Sequence, residues 1–161
     1  MTKTILLLDG ISTGKNIFID TIKSNGYWCW NINGMNLLGM ISHKLGYFGE
    51  RNQAYYDFIN DLKELADKYF NFETNYTASM INKFMQNEKA TVLIIHNCNS
   101  ELAIELKDFY SNVYDILIVD NDIIDDSYCK TLNYKDDNYI DNVLFVIDTL
   151  TKSFTNEQEE N

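Results

Sequence analysis

The chain has 161 residues, a hydrophobic content of 45% and a formal net charge of −11 at neutral pH. This length suits one domain with a sizeable core, so we expect a domain over residues 1–154 and a polar tail at 155–161. A strongly acidic chain repels nucleic acid polymers, but a small nucleotide needs only a local cluster of donors. No apolar stretch approaches the roughly 20 residues of a membrane helix, and three scattered cysteines without a CxxC motif indicate a reducing cytoplasm.

The first half of the chain mixes short apolar runs with segments of helical periodicity. "TILLLD" has the length of a strand and ends at a glycine-containing turn. The long segment from residue 52 has the clearest apolar stripe. The predicted elements are strands at 4–9 and 27–32 and helices at 15–24, 35–46, 52–70 and 77–87.

The second half contains three unbroken apolar runs, which are typical of strands buried on both faces. We predict strands at 91–97, 115–120 and 142–148, a helix at 101–110 capped by Ser100, and a loop at 121–142. Strands that alternate with helices predict an α/β fold with three layers, in which helices flank a mostly parallel five-stranded sheet.

The segment "DGISTGKN" at residues 9–16 is close to a phosphate-binding loop. Such a loop needs backbone amides that converge on an anion, a helix N-terminus behind them and a lysine, usually in the pattern GxxxxGK[ST]. Here Gly14-Lys15 fits the pattern, but Asp9 takes the place of the first glycine and Asn16 replaces the magnesium-binding hydroxyl. The predicted nucleotide-phosphate cradle consists of Gly10, Ile11, Ser12, Thr13, Gly14, Lys15 and Asn16. The alternative is an ordinary βα turn that uses glycine for its backbone freedom.

Four segments in order carry a resemblance to a known family. They are "LLLDGISTGKN", "YFGERNQAYYDFINDLKELADKY" at 47–69, "VLIIHNCNSELAIELKDFY" at 92–110 and "YKDDNYIDN" before the final predicted strand. With them the chain resembles the P-loop family of phage and Firmicute deoxynucleoside monophosphate kinase-like proteins, which are distant relatives of adenylate kinase. The resemblance implies a P-loop NTPase-like domain that transfers a phosphoryl group from ATP to a nucleotide, with Mg²⁺ bridging the donor oxygens.

The resemblance also implies roles for individual residues. Lys15 and the loop amides would hold the donor phosphates, and Arg51 would act with Lys15 in catalysis. The acceptor monophosphate would meet Arg51, Asp61 and Lys63. The alternatives are a surface ion pair for Arg51 and a solvated helix face for Asp61.

Two strand ends supply further candidates. His96 ends a buried strand at the edge where α/β folds bind ligands, so it is a substrate-binding candidate, although a hydrogen-bonded structural histidine is the other interpretation. Asp120 ends "ILIVD", which has the form of a Walker B strand, and joins Asn16 as a candidate magnesium ligand. Such strings are common at strand ends.

The departures from the family concern arginine. Arg51 is the only arginine in the chain, and the lid-like region 121–142 offers only Lys130 and Lys135. Lysine supplies charge without the planar fork that grips phosphate bidentately.

We therefore weigh three hypotheses. The first is a nucleoside monophosphate kinase that binds mono- and triphosphates, and the second is a catalytically degenerate P-loop protein that binds a nucleotide or a protein partner, such as a phage accessory factor. The third is a structural α/β domain, which a buried Lys15 or a Lys15–Asp9 pair would support. A homodimer stays open.

Overall fold

The computed structural model describes residues 3–152, apart from the side chains of Met35 and Lys152. It contains five strands and six helices in these residues. In chain order they are β1 (Thr4–Gly10), α1 (Ser12–Ser24), β2 (Cys29–Ile32), α2 (Gly34–Lys44), α3 (Gln53–Phe70), α4 (Phe72–Gln86), β3 (Val92–His96), α5 (Ser100–Phe109), β4 (Val113–Val119), β5 (Lys130–Asn133) and α6 (Tyr139–Lys152).

The strands form one parallel sheet with the order β2-β3-β1-β4-β5. The central strand β1 lies between β3 and β4, with Leu8 opposite His96 and Gly10 opposite Ile118. In a parallel sheet the carboxyl ends of all strands lie at the same edge, so the residues that follow β1, β3 and β4 meet there. This architecture confirms the predicted α/β fold with a five-stranded sheet.

The alternation of side chains along the strands builds the two outer layers. On one face, Leu6 and Leu8 of β1 join Phe18 of α1 and Val143 of α6 in a single buried cluster. On the other face, α5 packs against β4 and buries Leu102 together with Leu106. The predicted three-layer arrangement of helix, sheet and helix is therefore present.

One predicted strand is wrong. The run at 142–148 lies inside helix α6, and the fifth strand is β5, within the region predicted as a loop. An apolar run of seven residues fits a strand or a buried helix equally well. The helical period appears only when the window includes Tyr139, since Tyr139, Val143 and Ile147 are buried whereas Phe145 is 70% exposed.

Two helix starts also differ from the prediction. Asn99, and not Ser100, caps α5, because its side-chain oxygen accepts the Leu102 N–H at 2.8 Å. Helix α4 begins at Phe72, five residues before the predicted start. Asn71 separates it from α3 with a φ of +47°, a left-handed conformation that asparagine tolerates.

The chain divides into two compact units. Unit 1 comprises Met1–Asn31 and Phe84–Asn161, and unit 2 comprises Ile32–Lys83. The single domain predicted for 1–154 stays a prediction, and the predicted tail at 155–161 lies outside the described residues. None of the helices in residues 3–152 combines the length and the apolar character needed to cross a bilayer.

Candidate functional site

The connection between β1 and α1 is one residue long. Strand β1 ends at Gly10 and helix α1 begins at Ser12, so only Ile11 lies between them. Gly10 permits this turn, because its φ is +95° and a Cβ would stand 2.0 Å from the Ile118 carbonyl oxygen. The helix predicted at 15–24 therefore begins three residues earlier, at Ser12.

This early start leaves three donors at the N-terminus of α1. The Ile11 N–H donates to the Ile118 carbonyl at 2.9 Å, and the Lys15 N–H donates to the Ile11 carbonyl at 3.0 Å. The N–H groups of Ser12, Thr13 and Gly14 precede the first helical hydrogen bond and have no intrahelical acceptor. Ile11 provides no side-chain cap. The predicted seven-residue cradle thus reduces to three amides at the positive end of the helix.

Gly14 fixes the position of this helix start. A Cβ there would stand 2.4 Å from the Ile118 side chain and 2.7 Å from that of Tyr134. The Tyr139 hydroxyl donates to the Gly14 carbonyl at 2.9 Å. Because α6 and β4 both hold Gly14, the three free amides occupy a fixed place at the carboxyl edge of the sheet.

Lys15 is buried beside these amides. Its side chain is 4% exposed, and its Nζ donates to the Asn97 side-chain oxygen at 2.7 Å. Burial lowers the pKa of Lys15, while the Asp9 carboxylate raises it. Asn97 follows β3 with a φ of +47° and donates its backbone N–H to the Leu8 carbonyl. A buried Lys15 is the condition that supports the structural-domain hypothesis, so this hypothesis stays in consideration.

Asp9 brings a negative charge to the same edge. The Tyr128 hydroxyl donates to the Asp9 carboxylate at 3.2 Å. Burial raises the pKa of Asp9, and the hydrogen bond from Tyr128 and the charge of Lys15 act in the opposite direction. An ionised Asp9 opposes the binding of an anion near the start of α1.

His96 is held as a neutral imidazole. It ends β3, and its Nε2 atom is buried without a hydrogen-bond partner among residues 3–152. Burial lowers the pKa of His96 to about 4, and the positive charge of Lys15 contributes to the shift. The interpretation of His96 as a fully hydrogen-bonded structural histidine does not hold for the Nε2 atom. Its role as a phosphate ligand stays a prediction.

The three acceptor-site candidates all belong to unit 2. Arg51 is exposed just before α3 and forms no ion pair with any residue of the described part of the chain. Asp61 is exposed on α3. The Nζ atom of Lys63 lies 3.2 Å from the carboxylates of both Asp67 and Glu73, so its charge is balanced within unit 2. Of the two cations, only Arg51 offers its charge to a ligand.

The candidate magnesium ligands do not form a prepared site. Asn16 is exposed on α1, and Asp120 is exposed and lies 3.5 Å from the Lys135 ammonium. Residues 3–152 contain no group of three histidine, cysteine or acidic side chains that could hold a metal. An amide and an ion-paired carboxylate are weaker ligands for Mg²⁺ than a free carboxylate, and a substrate phosphate would have to supply further ligands. The metal roles of Asn16 and Asp120 stay predictions.

Sequence reasoning missed two residues of this edge, Asn97 and Tyr128. Asn97 is the last residue of the strand predicted at 91–97, so its place at the edge could have been inferred from the parallel sheet. Tyr128 lies in a polar segment without periodicity, and no local pattern connects it to Asp9 across 119 positions.

A scan against family models finds no match for this chain, and a search of the curated proteins finds none.

Proposed function

We propose that the chain is a nucleotide-binding protein that holds the phosphates of its ligand at the N-terminus of α1. One observation carries the proposal. The amides of Ser12, Thr13 and Gly14, which have no acceptor among residues 3–152, begin a helix whose next residue is the buried Lys15. This combination of helix dipole, free N–H donors and one cation is what a phosphate requires. It lies at the carboxyl edge of a parallel sheet, where α/β folds bind their ligands.

The same residues favour binding over efficient phosphoryl transfer. Transfer depends on positioning and on stabilisation of charge at the transferred group, which arginines and a metal ion supply. This chain has Arg51 as its only arginine, and Lys63 is already paired with two carboxylates. We therefore propose a P-loop kinase-like protein that has fewer cationic side chains available for phosphoryl transfer than an efficient kinase needs. A reducing cytoplasm suits it, since Cys29, Cys98 and Cys129 form no disulfide with one another among residues 3–152.

Phosphoryl transfer from ATP to a nucleoside monophosphate is the second candidate function. It is favoured by the Arg51 guanidinium, which forms no ion pair within residues 3–152 and so retains its charge for an acceptor. A coupled assay for ADP release with each of the common deoxynucleoside monophosphates tests it. Turnover by the wild type that is lost in Arg51→Gln would support phosphoryl transfer. If the protein binds ATP but shows no turnover, nucleotide binding remains the only supported function.

Calorimetry tests the main proposal with ATP and GTP in the presence of Mg²⁺. We expect micromolar binding by the wild type and a loss of at least about tenfold in Lys15→Ala, since this substitution removes the buried ammonium at the start of α1. Lys23→Ala is the matched control, because Lys23 is exposed in the last turn of the same helix. Circular dichroism verifies that each variant is folded.

The outcomes separate the hypotheses. Binding by the wild type and by Lys23→Ala, with loss in Lys15→Ala, supports a working phosphate site. No binding at millimolar nucleotide by a folded wild-type protein contradicts the proposal. In that case Lys15 serves the fold, and the structural-domain hypothesis replaces it.

A further inference from the structure

Unit 2 contains a cleft between α2, the segment 45–52 and the start of α3. Its volume is about 410 Å³, which lies in the range of sites that bind small organic ligands. Its walls combine one arginine with three tyrosines: Arg51, Tyr47, Tyr55 and Tyr56. All of the lining residues belong to unit 2, and the ligand proposed for the cleft does not rest on the nucleotide proposal.

The arginine stands at the positive end of a long helix. Arg51 immediately precedes Asn52, which caps the 18-residue helix α3 by accepting the Tyr55 N–H at 3.1 Å. The dipole of α3 therefore adds positive potential where the guanidinium already lies. Since Arg51 has no hydrogen bond or ion pair among the described residues, its donors are available to an anion in the cleft.

The three tyrosines form an aromatic wall, and backbone hydrogen bonds hold one of them, Tyr47, in place. The Tyr47 and Tyr55 rings have centroids 5.0 Å apart, and Tyr56 meets Tyr55 edge to face at 5.4 Å. The Tyr47 N–H donates to the Ser42 carbonyl, and its hydroxyl donates to the Glu50 carbonyl at 2.5 Å. A wall fixed in this way costs little ordering entropy when it contacts a flat ligand.

Gly39 keeps this wall close to α2. A Cβ at Gly39 would stand 2.9 Å from the Tyr55 hydroxyl. The cleft therefore owes part of its shape to the absence of a side chain at this position, and a larger residue would have to displace the ring.

The charge of the lining residues defines the ligand further. No lysine and no acidic residue lines the cleft, so Arg51 is the one guanidinium or ammonium group there. One guanidinium balances the single charge of a carboxylate, whereas a phosphate monoester carries about two charges, of which a lone guanidinium balances only one. We propose that this cleft binds a small planar aromatic carboxylate, with the carboxylate on Arg51 and the aromatic body against Tyr47, Tyr55 and Tyr56.

Calorimetry on the full chain tests this assignment with three probes. Indole-3-carboxylate represents the proposed class, indole-3-carboxamide is its neutral isostere, and thymidine monophosphate represents a nucleotide. We expect the carboxylate to bind below millimolar concentration and the carboxamide to bind at least about tenfold more weakly, because it cannot form the charged fork.

Two substitutions complete the test. Arg51→Gln should weaken carboxylate binding at least about tenfold, and Arg51→Lys should fall between this variant and the wild type. Lys68→Gln is the matched control. It removes an exposed cation from the far end of α3, where Lys68 lies over the Tyr69 ring, and it should leave the affinity unchanged.

Four results would overturn the assignment. They are equal binding of the carboxylate and the carboxamide, tighter binding of thymidine monophosphate than of the carboxylate, wild-type affinity in a folded Arg51→Gln variant, and absence of carboxylate binding at millimolar concentration. ATP binding at α1, measured in the same Arg51→Gln sample, separates this failure from a failure of the nucleotide proposal.

Discussion

The Lys15 ammonium donates its hydrogen bond to Asn97, a neutral partner, at 2.7 Å. This contact joins the first turn of α1 to the chain just after β3. Because an amide oxygen does not cancel the charge as a bonded carboxylate would, Lys15 keeps a positive potential beside the free amides of α1. The lowered pKa of Lys15 records the cost of burying that charge.

The cost of burying Lys15 should appear as a pH dependence of stability. The pKa of Lys15 is lower in the folded state than its ordinary value of 10.5, so the unfolded state binds more protons between these two values. The free energy of unfolding of the wild type should therefore rise as the pH rises through the folded pKa towards 10.5. Lys15→Met removes this gain, and we expect it to lie within about 1 kcal/mol of the wild type at pH 7.

Urea unfolding of both proteins from pH 7 to 10.5 measures this difference. Lys23→Met is the control for loss of one ammonium from the same helix, and it should follow the wild-type curve. A Lys15→Met variant that gains stability relative to the wild type with rising pH would show that the sign is wrong.

The sheet was predictable because its central strands are long apolar runs with an obvious order. The segments "TILLLD", "TVLIIHN" and "DILIVD" correspond to β1, β3 and β4, and turn residues bound them. The edge strand β5 was not predictable, since only Leu132 of its four residues is buried. The helix α6 was mistaken for a strand because Val143 to Ile147 is apolar without a break, and tertiary burial alone separates its two faces.

The site was predictable to a similar extent. The spacing after a strand predicts the positions of Gly14 and Lys15, but it does not predict that the connection between β1 and α1 is one residue long. The conformation at Gly10 and its contact with Ile118 depend on β4, which is more than 100 residues away in the chain. Such long-range backbone contacts leave no trace in a local pattern, which also explains why Tyr128 was missed.

Gly14 should tolerate no side chain. Gly14→Ala places a Cβ 2.4 Å from Ile118 and 2.7 Å from Tyr134, so the packing between α1 and β4 must open. Overpacking of this kind costs about 1–3 kcal/mol, and we expect a loss of that size in the free energy of unfolding. Gly34→Ala is the matched control, because its Cβ would have no neighbour nearer than 3.7 Å. Chemical denaturation of both variants makes the comparison, and equal stability would show that the helix start is loosely packed.

Asp9 should limit the affinity for phosphate. Asp9→Asn removes the carboxylate charge and retains an oxygen that accepts the Tyr128 hydroxyl hydrogen. We expect pyrophosphate or ATP to bind roughly three- to tenfold more tightly in this variant, because a like charge near the site is lost. Calorimetry at pH 7 measures the gain, and Asp20→Asn serves as the control since Asp20 is exposed on the same helix. Unchanged affinity in Asp9→Asn would place the anion away from the end of β1.

His96 should make the protein sensitive to mild acid. Its pKa is about 4 in the folded state against an ordinary value of 6.5. Between pH 6.5 and about pH 4, the His96 imidazole is protonated in the unfolded chain and neutral in the native protein. The free energy of unfolding should therefore fall as the pH falls through this window. The slope due to His96 is at most about 1.4 kcal/mol per pH unit, and solvent screening of the partly exposed ring reduces it.

His96→Gln removes this contribution, because glutamine does not titrate. Urea unfolding between pH 4 and 7 should show the wild type losing stability relative to His96→Gln as the pH falls, and proton NMR should show the His96 ring neutral at pH 6. His43→Gln, which removes an exposed imidazole beside Phe48, should retain the wild-type slope. If the stability curves of the wild type and His96→Gln run parallel with pH, the native His96 ring is protonated as readily as in the unfolded chain. The buried Nε2 atom would then donate to a hydrogen-bond acceptor, since a buried imidazolium is stable only with such a partner.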